Sequence, residues 1–307
     1  MKIGLIGMGY WGKILINTLK EKVKSIDAEL VTCDLVNPSA DTKLYTDLKH
    51  CNKVFIATPV NNHSKLCRFF LSKGIDVFCE KPLVLSSMEA EDLYILAEKN
   101  NCYLFVDWIF LFNNQVNLIR KFIKDQSFGR LKSITMNRLN LGPVRTDVSA
   151  KYDLASHDIS IVLFLLNRGT EKGLCRCRIE PLVSRVHWIG YKRNNSSKIN
   201  DSCYGLIQID NVTVQINASW HYGKKDRLCI FEFEDGFLMW DDHKKALTFN
   251  EQNYFEQGTS PLYNSIDAFM NFTHFKWKYV KKSRFFDNNK KLTINVLKVL
   301  EVENTFY

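Results

Sequence analysis

The first hundred residues of this chain constrain its fold most. Short runs of strand-forming residues alternate there with helical segments, and a glycine loop stands directly behind the first run. Lys2–Gly7 (KIGLIG), Ala28–Asp34 (AELVTCD), Lys53–Ala57 (KVFIA), Asp76–Cys79 (DVFC) and Cys102–Val106 (CYLFV) read as strands. Between them, WGKILINTLKEK, HSKLCRFFLSKG and SSMEAEDLYILAEKNN repeat apolar residues every three or four positions, the helical period. Ser86 with Glu89 three residues on predicts a capping box at the start of the third helix. Strand–helix alternation of this kind predicts a parallel sheet with helices on both faces.

After about residue 125 the pattern changes. Arg130–Leu141 reads as a strand and Leu154–Leu166 as a largely buried helix. Strand-like runs follow at Pro181–Tyr191, Cys203–Ile209, Val212–Trp220, Leu228–Glu234 and Phe237–Trp240, with turn signals at Asp210-Asn211 and Asp235-Gly236. Strands that succeed one another without helices between them predict an antiparallel sheet. Helices are expected near Pro261–Phe272 and Lys290–Val302, and Asn194–Lys198 reads as a local loop.

At 307 residues, 46% hydrophobic, the chain can build two cores. The expected division is 1–122 and 123–307. No run approaches the roughly eighteen uncharged apolar residues of a membrane span, and KIGLIGMG lacks the features of a signal peptide, so a cytoplasmic protein with no membrane partner is expected. Nine cysteines are scattered without a CxxC pair. Only Cys175 and Cys177 lie close, with no histidine at zinc spacing, which predicts free thiols and no metal. The net charge of +9 suits an anionic ligand such as a nucleotide. Its lysines and arginines are dispersed among acids, and no nucleic-acid partner is expected.

Gly7-Met8-Gly9-Tyr10-Trp11-Gly12 is a GxGxxG between the first strand and the first helix. The first glycine permits a tight turn, the second lets backbone approach a pyrophosphate, and the third lets helix pack on strand. The helix N-terminus offers its N–H groups to the phosphates. Asp34 ends the second strand, where a carboxylate accepts hydrogen bonds from the adenosine ribose and repels a 2′-phosphate; this points to NAD. Thr58 and Pro59 form a shelf at the end of the third strand, and His63 is placed near the cofactor without a chemical role. Tyr10, Trp11, Glu80 and Lys81 complete the expected cofactor contacts. The first domain is therefore expected to be a Rossmann dinucleotide-binding domain of α/β class, followed by an α+β domain.

Gly7–Gly12, the ATPxxxH run Ala57–His63, Glu80-Lys81-Pro82, and Asp153 with His157 occur in the order seen in the Gfo/Idh/MocA oxidoreductases, which the chain resembles over nearly its whole length. The resemblance implies a C-terminal domain with a mainly antiparallel open sheet, and a homo-oligomer, dimer or tetramer. Asp107–Phe112 (DWIFLF), Arg138–Gly142, Asp147-Val148, Tyr152–Ile159 (YDLASHDI) and the run from Ser219-Trp220 through Arg227 to Asp242 look like one branch of that family. That branch oxidises the 3-hydroxyl of UDP-N-acetylglucosamine-type sugars for an aminotransferase in lipid A or surface-polysaccharide synthesis. Trp108 departs from it, since many of its members carry histidine there, and the basic segment Phe275–Lys291 is unlike the usual relatives.

Oxidation of a secondary alcohol requires loss of the hydroxyl proton while hydride leaves the same carbon. Lys81 can stabilise the negative charge developing on the oxygen or share in moving the proton, with Glu80 as its orienter. His157 is the expected general base, because histidine's ordinary pKa of about 6.5 suits proton exchange near neutrality. Asp153 lies four residues earlier on the same expected helical face, either to bind substrate or to orient the imidazole. Arg138, Asn140 and Arg145 are candidates for the diphosphate or sugar, or else a polar edge strand; Asp158 is counted with them. A dehydrogenase of a free polyol such as inositol uses the same machinery. A non-catalytic sensor is the alternative from another class.

Overall fold

The computed structural model describes residues 1–167, 181–193, 199–271 and 282–303. The Cys175/Cys177 pair, the Asn194–Lys198 loop and residues 275–281 of the basic segment lie outside the described residues. Contacts divide the chain into two units, Met1–Ile109 with Thr259–Asn295, and Phe110–Gly258 with Val296–Tyr307.

In the first unit, β1 (Lys2–Ile6), α1 (Tyr10–Ser25), β2 (Glu29–Cys33), β3 (Lys53–Ile56), α2 (His63–Leu71), β4 (Asp76–Cys79), α3 (Ser87–Lys99) and β5 (Leu104–Val106) follow in turn. The five strands form a wholly parallel sheet in the order β2-β1-β3-β4-β5. This is the expected Rossmann arrangement, and order reverses between β1 and β3, where such sheets open a crevice at their carboxyl ends. Register puts Phe55, Phe78 and Phe105 side by side on β3, β4 and β5. Their rings form a ladder with centroids 4.8 and 5.4 Å apart. Each such pair adds about 0.5–1.5 kcal/mol beyond area burial. Ser86 caps α3 by accepting the Glu89 N–H, but the Glu89 carboxylate takes the Ser64 hydroxyl of α2 at 2.5 Å. The expected box is thus half made, because a tertiary partner for Glu89 displaces the local one.

The second unit holds α4 (Asn114–Asp125), β6 (Leu131–Leu141), α5 (Ser156–Leu166), β7 (Val183–Tyr191), β8 (Ser202–Ile209), β9 (Val212–Ser219), β10 (His221–Asp226), β11 (Leu228–Phe233), β12 (Gly236–Asp241), β13 (Ala246–Phe249) and β14 (Gln252–Tyr254). They make an open nine-stranded sheet, β14-β13-β12-β11-β6-β9-β8-β7 with β10 also on β6. Every pair is antiparallel except β6 with β9. Strand β8 alternates buried and exposed residues, the signature of a sheet packed on one face. Almost every residue of α5 is buried, as its apolar run IVLFLL requires. The turn before it, Lys151–Ala155, is π-helical rather than α-helical.

The last two helices are α6 (Pro261–Asn271) and α7 (Lys282–Glu301). Phe269 of α6 packs edge-on against Phe55, closing the phenylalanine ladder. Asn289 of α7 bonds both backbone groups of Val106, accepting its N–H and donating to its C=O, each at 2.9 Å. Strand β5 is the sheet edge, so this amide occupies hydrogen-bonding groups that an exposed edge would leave open. Trp108 is buried and donates its indole N–H to Thr293 at 2.9 Å. Among the described residues no helix is long and apolar enough to cross a membrane, and no cluster of metal-ligating side chains occurs.

Candidate functional site

Five strands of the first unit end in the same direction, and the polar residues of the cofactor end follow them. Gly7 leaves β1, Asp34 leaves β2, Thr58 and Pro59 follow β3, Glu80 and Lys81 follow β4, and Asp107 follows β5. Gly7 has φ +93°, and a Cβ there would lie 2.5 Å from the Ala57 carbonyl oxygen. A Cβ at Gly12 would lie 2.0 Å from the Gly7 carbonyl oxygen, so only glycine fits at this position in the first turn of α1. At Gly9 a Cβ would meet nothing within 4 Å. The space beside this backbone is open, as close approach by a pyrophosphate requires. Gly9 caps α1 with no side chain and the first turn carries no acid, so its N–H groups stay available to an anion.

Asp34 ties this loop together. Its Oδ2 accepts the Met8 N–H at 2.6 Å, and its Oδ1 accepts those of Val36 and Asn37 at 2.9 and 2.8 Å. Partial burial works to raise its pKa, but the three N–H groups outweigh it and hold the carboxyl below its ordinary value. The group is therefore an anion at neutral pH, as a ribose-binding acid must be. Tyr10 is exposed at the start of α1, and the Trp11 indole N–H donates to Glu80. His63 is 1% exposed, its two ring nitrogens each 2.9 Å from a backbone carbonyl oxygen, of Thr58 and of Pro82. It links the Thr58–Pro59 shelf to the Lys81–Pro82 turn from beneath.

Glu80 is buried. Burial first, then the charge of Asp107, pushes its carboxyl well above the ordinary value, against the pull of Trp11 and Lys81. Asp107, 1% exposed, is pushed by burial up to about 7, with the Ser265 hydroxyl and the Lys81 charge pulling the other way. The motif lysine thus stands among two acids. Sequence reasoning gave Asp107 no role, although it follows its strand just as Glu80 follows β4.

In the second unit, Arg138 on β6 and Asp158 on α5 form a buried ion pair. Arg138 Nε and Nη2 both donate to Asp158 Oδ1, at 2.8 and 2.6 Å, and the guanidinium lies over the Phe110 ring. Burial pushes the Asp158 carboxyl up despite its partner. Burial also opposes the charge on Arg138, but the Asp158 carboxylate outweighs it and holds the guanidinium charged. Any ligand phosphate at Arg138 would compete with Asp158. Asn140 accepts from Arg227 Nη2 at 2.6 Å, while Arg227 Nη1 is buried with no hydrogen-bond partner among the described residues. Burial and the nearby Arg138 charge lower the Arg227 pKa to about 10. Arg227 thus lies beside the expected substrate residues as an additional donor. Its partner Asn140 is 87 positions away in the chain, so nothing local marks it.

Arg145 is held side-on by Asp147, at 2.9 and 2.7 Å, and lies 3.9 Å from Asp153. Asp153 accepts the Trp220 indole N–H at 3.2 Å. It sits in the π-helical turn, so the spacing from Asp153 to His157 is not that of one regular α-helical face. The His157 ring meets Phe110 edge-on, with centroids 5.2 Å apart.

Known proteins resemble this chain in sequence and in fold. Residues 1–108 match the model of the GFO_IDH_MocA oxidoreductase family, NAD-binding Rossmann fold. The oxidoreductase YfiI of Bacillus subtilis is 31% identical over 218 residues, 65% of this chain and 54% of its own length. The UDP-N-acetylglucosamine 3-dehydrogenase of Acidithiobacillus ferrooxidans is 25% identical over 179 residues, 54% of each protein. The chain thus spans about half the length of these two relatives. In fold, the WlbA dehydrogenase of Bordetella pertussis, solved with NADH and UDP-GlcNAcA, aligns with TM-score 0.76 at 18% identity, covering 97% of this chain and 94% of that one. The first 108 residues thus resemble the NAD-binding domain of the Gfo/Idh/MocA oxidoreductases, and the fold of the chain is like that of the WlbA dehydrogenase.

Proposed function

We propose that this protein is an NAD-dependent dehydrogenase that oxidises the 3-hydroxyl of a UDP-linked N-acetylhexosamine, UDP-GlcNAc or its uronate, to the 3-keto sugar. The product then suits an aminotransferase in lipid A or surface-polysaccharide synthesis. The observation that carries the reading is the row of strand ends, where Lys81 and its two acids follow β4 and β5 on the same sheet as the glycine loop and Asp34. Bound NAD⁺ supplies the hydride acceptor. Asp34 selects it over the 2′-phosphorylated form, and the first turn of α1 receives its pyrophosphate.

Lys81 stabilises the negative charge that develops on the reacting oxygen. His157 takes the hydroxyl proton, and Asp153 orients its ring or holds the sugar. Arg145, Asn140 and Arg227 receive the anionic part of the substrate, and Arg138 with Asp158 holds β6 and α5 in place beside them. The exposed apolar side chains of the open sheet, among them Leu206 and Phe237, fit a homo-oligomer built through that face.

A second reading has one observation in its favour: Asp158 occupies Arg138, which leaves fewer cations for a diphosphate and suits a free polyol of inositol type. Crystals soaked with NAD and UDP-GlcNAc, its uronate or inositol decide between them. The expected result is a UDP-sugar with its 3-hydroxyl toward the nicotinamide. Inositol bound there, with no UDP-sugar, overturns it.

A further inference from the structure

Asp107 is an acid that neither the glycine loop nor the lysine motif accounts for. Register pairs Cys79 of β4 with Val106 of β5, and the Asp107 N–H donates to the Cys79 carbonyl at 3.0 Å. Glu80 and Asp107 are therefore the next residues on two neighbouring strands, whose backbones run roughly 4.8 Å apart. Both are buried, at 9% and 1% exposure. The charges of Asp107 and Lys81 bear on Glu80, and that of Lys81 bears on Asp107. From α6 the facing group is the Ser265 hydroxyl, which donates to Asp107 Oδ1 at 2.5 Å, and the side chains of α7 at this strand end, Asn289 and Thr293, are neutral. Asp107 Oδ2 is buried with no hydrogen-bond partner among the described residues. Two carboxyls this close and this deep, facing one ammonium, do not both ionise.

We propose that Glu80 and Asp107 act as one carboxyl pair that shares a single negative charge opposite Lys81, which makes Asp107 a positioning residue of the site. Its consequence for catalysis rests on the reading of Lys81 as the group at the reacting oxygen; the pair itself does not. As pH falls through neutrality the pair takes up its second proton and the counter-charge of Lys81 disappears. The pH profile of turnover then carries an acid limb that belongs to the pair rather than to the substrate.

The test is carboxyl ¹³C NMR of the full-length protein, labelled separately in aspartate and in glutamate, across the pH range, for wild type, Asp107→Asn and Glu80→Gln. In the wild type one aspartate signal titrates near 7, and one glutamate signal responds at the same step. Each substitution abolishes the neutral titration of the remaining partner, which then has Lys81 to itself, and lowers the acid limb of kcat. A neutral titration confined to aspartate, or one that survives in Glu80→Gln, makes Asp107 an independent buried acid and overturns the proposal, as does the absence of any neutral carboxyl titration. If a variant fails to fold, the wild-type curves decide, because only a coupled pair moves both signals at one midpoint. The spectra require no turnover, so a mistaken substrate leaves them unchanged and shows itself in the kinetics alone.

Discussion

Asp34 reaches from the end of β2 to the backbone N–H of Met8, 2.6 Å away, so the acid proposed to bind the ribose also fixes the glycine loop. Asp34→Ala is expected to weaken NAD binding about ten- to a hundredfold, the worth of charge-assisted hydrogen bonds at roughly 1.5–3 kcal/mol. It should also narrow the preference over NADP, because the repulsion of a 2′-phosphate goes with the charge. Calorimetric titration of both cofactors checks this.

Lys81→Ala is expected to lower kcat by about a hundredfold or more, in the range that positioned acid–base and electrostatic groups supply, while NAD affinity changes little. Steady-state kinetics with a cofactor titration separate the two. An equal loss in cofactor binding would make Lys81 a cofactor anchor instead.

Arg138 and Asp158 lie 2.6 Å apart, with side chains 7% and 0% exposed. Removing one charge strands the other, so Asp158→Leu or Arg138→Leu alone should cost about 3–5 kcal/mol, whereas the double replacement by apolar residues should recover most of that loss. Denaturant unfolding of the three variants measures it, and additive losses would refute a tightly coupled pair.

Asp107 has its pKa raised by burial from an ordinary 3.8 to about 7. Folding then holds a proton that the unfolded chain has released. The stability linked to this group is full below about 3.8 and is lost as pH rises through about 7. Relative to wild type, Asp107→Asn should therefore gain stability between pH 4 and 8, with the wild-type decline across that window flattened. Thermal unfolding at stepped pH follows the difference.

The fold of the first unit is legible because its signals are local. DVFC gives β4 as Asp76–Cys79 to the residue, and the glycine loop identifies both the turn and the helix after it. The second sheet is less so. HYGKKD in β10 is mostly exposed and has no apolar alternation, and it pairs with β6 through a shifted register, so nothing in its sequence announces a strand. The return of α6 and α7 to the first unit depends on Phe269 and Asn289 meeting partners some two hundred residues earlier, which periodicity does not encode.

The site divides the same way. Asp34, Glu80 and Lys81 each follow a recognisable strand, and their place in the row can be read from strand ends alone. Arg227 and Asp107 acquire meaning only through Asn140 and Glu80, which the fold brings to them from distant positions. The even helical spacing expected from Asp153 to His157 gives way to a π turn, because hydrogen-bond slippage within a helix leaves no mark in the apolar pattern.

The central claim, that Lys81 serves NAD-dependent oxidation of a UDP-linked N-acetylhexosamine, is tested most directly by following reduced nicotinamide absorbance. Wild-type protein and Lys81→Ala are each given NAD⁺ with UDP-GlcNAc or its uronate, with an aminotransferase drawing off the ketone. The account predicts a sustained rise with wild type and almost none with Lys81→Ala. A flat trace from the wild-type protein on both sugars, or an undiminished rise from Lys81→Ala, contradicts it.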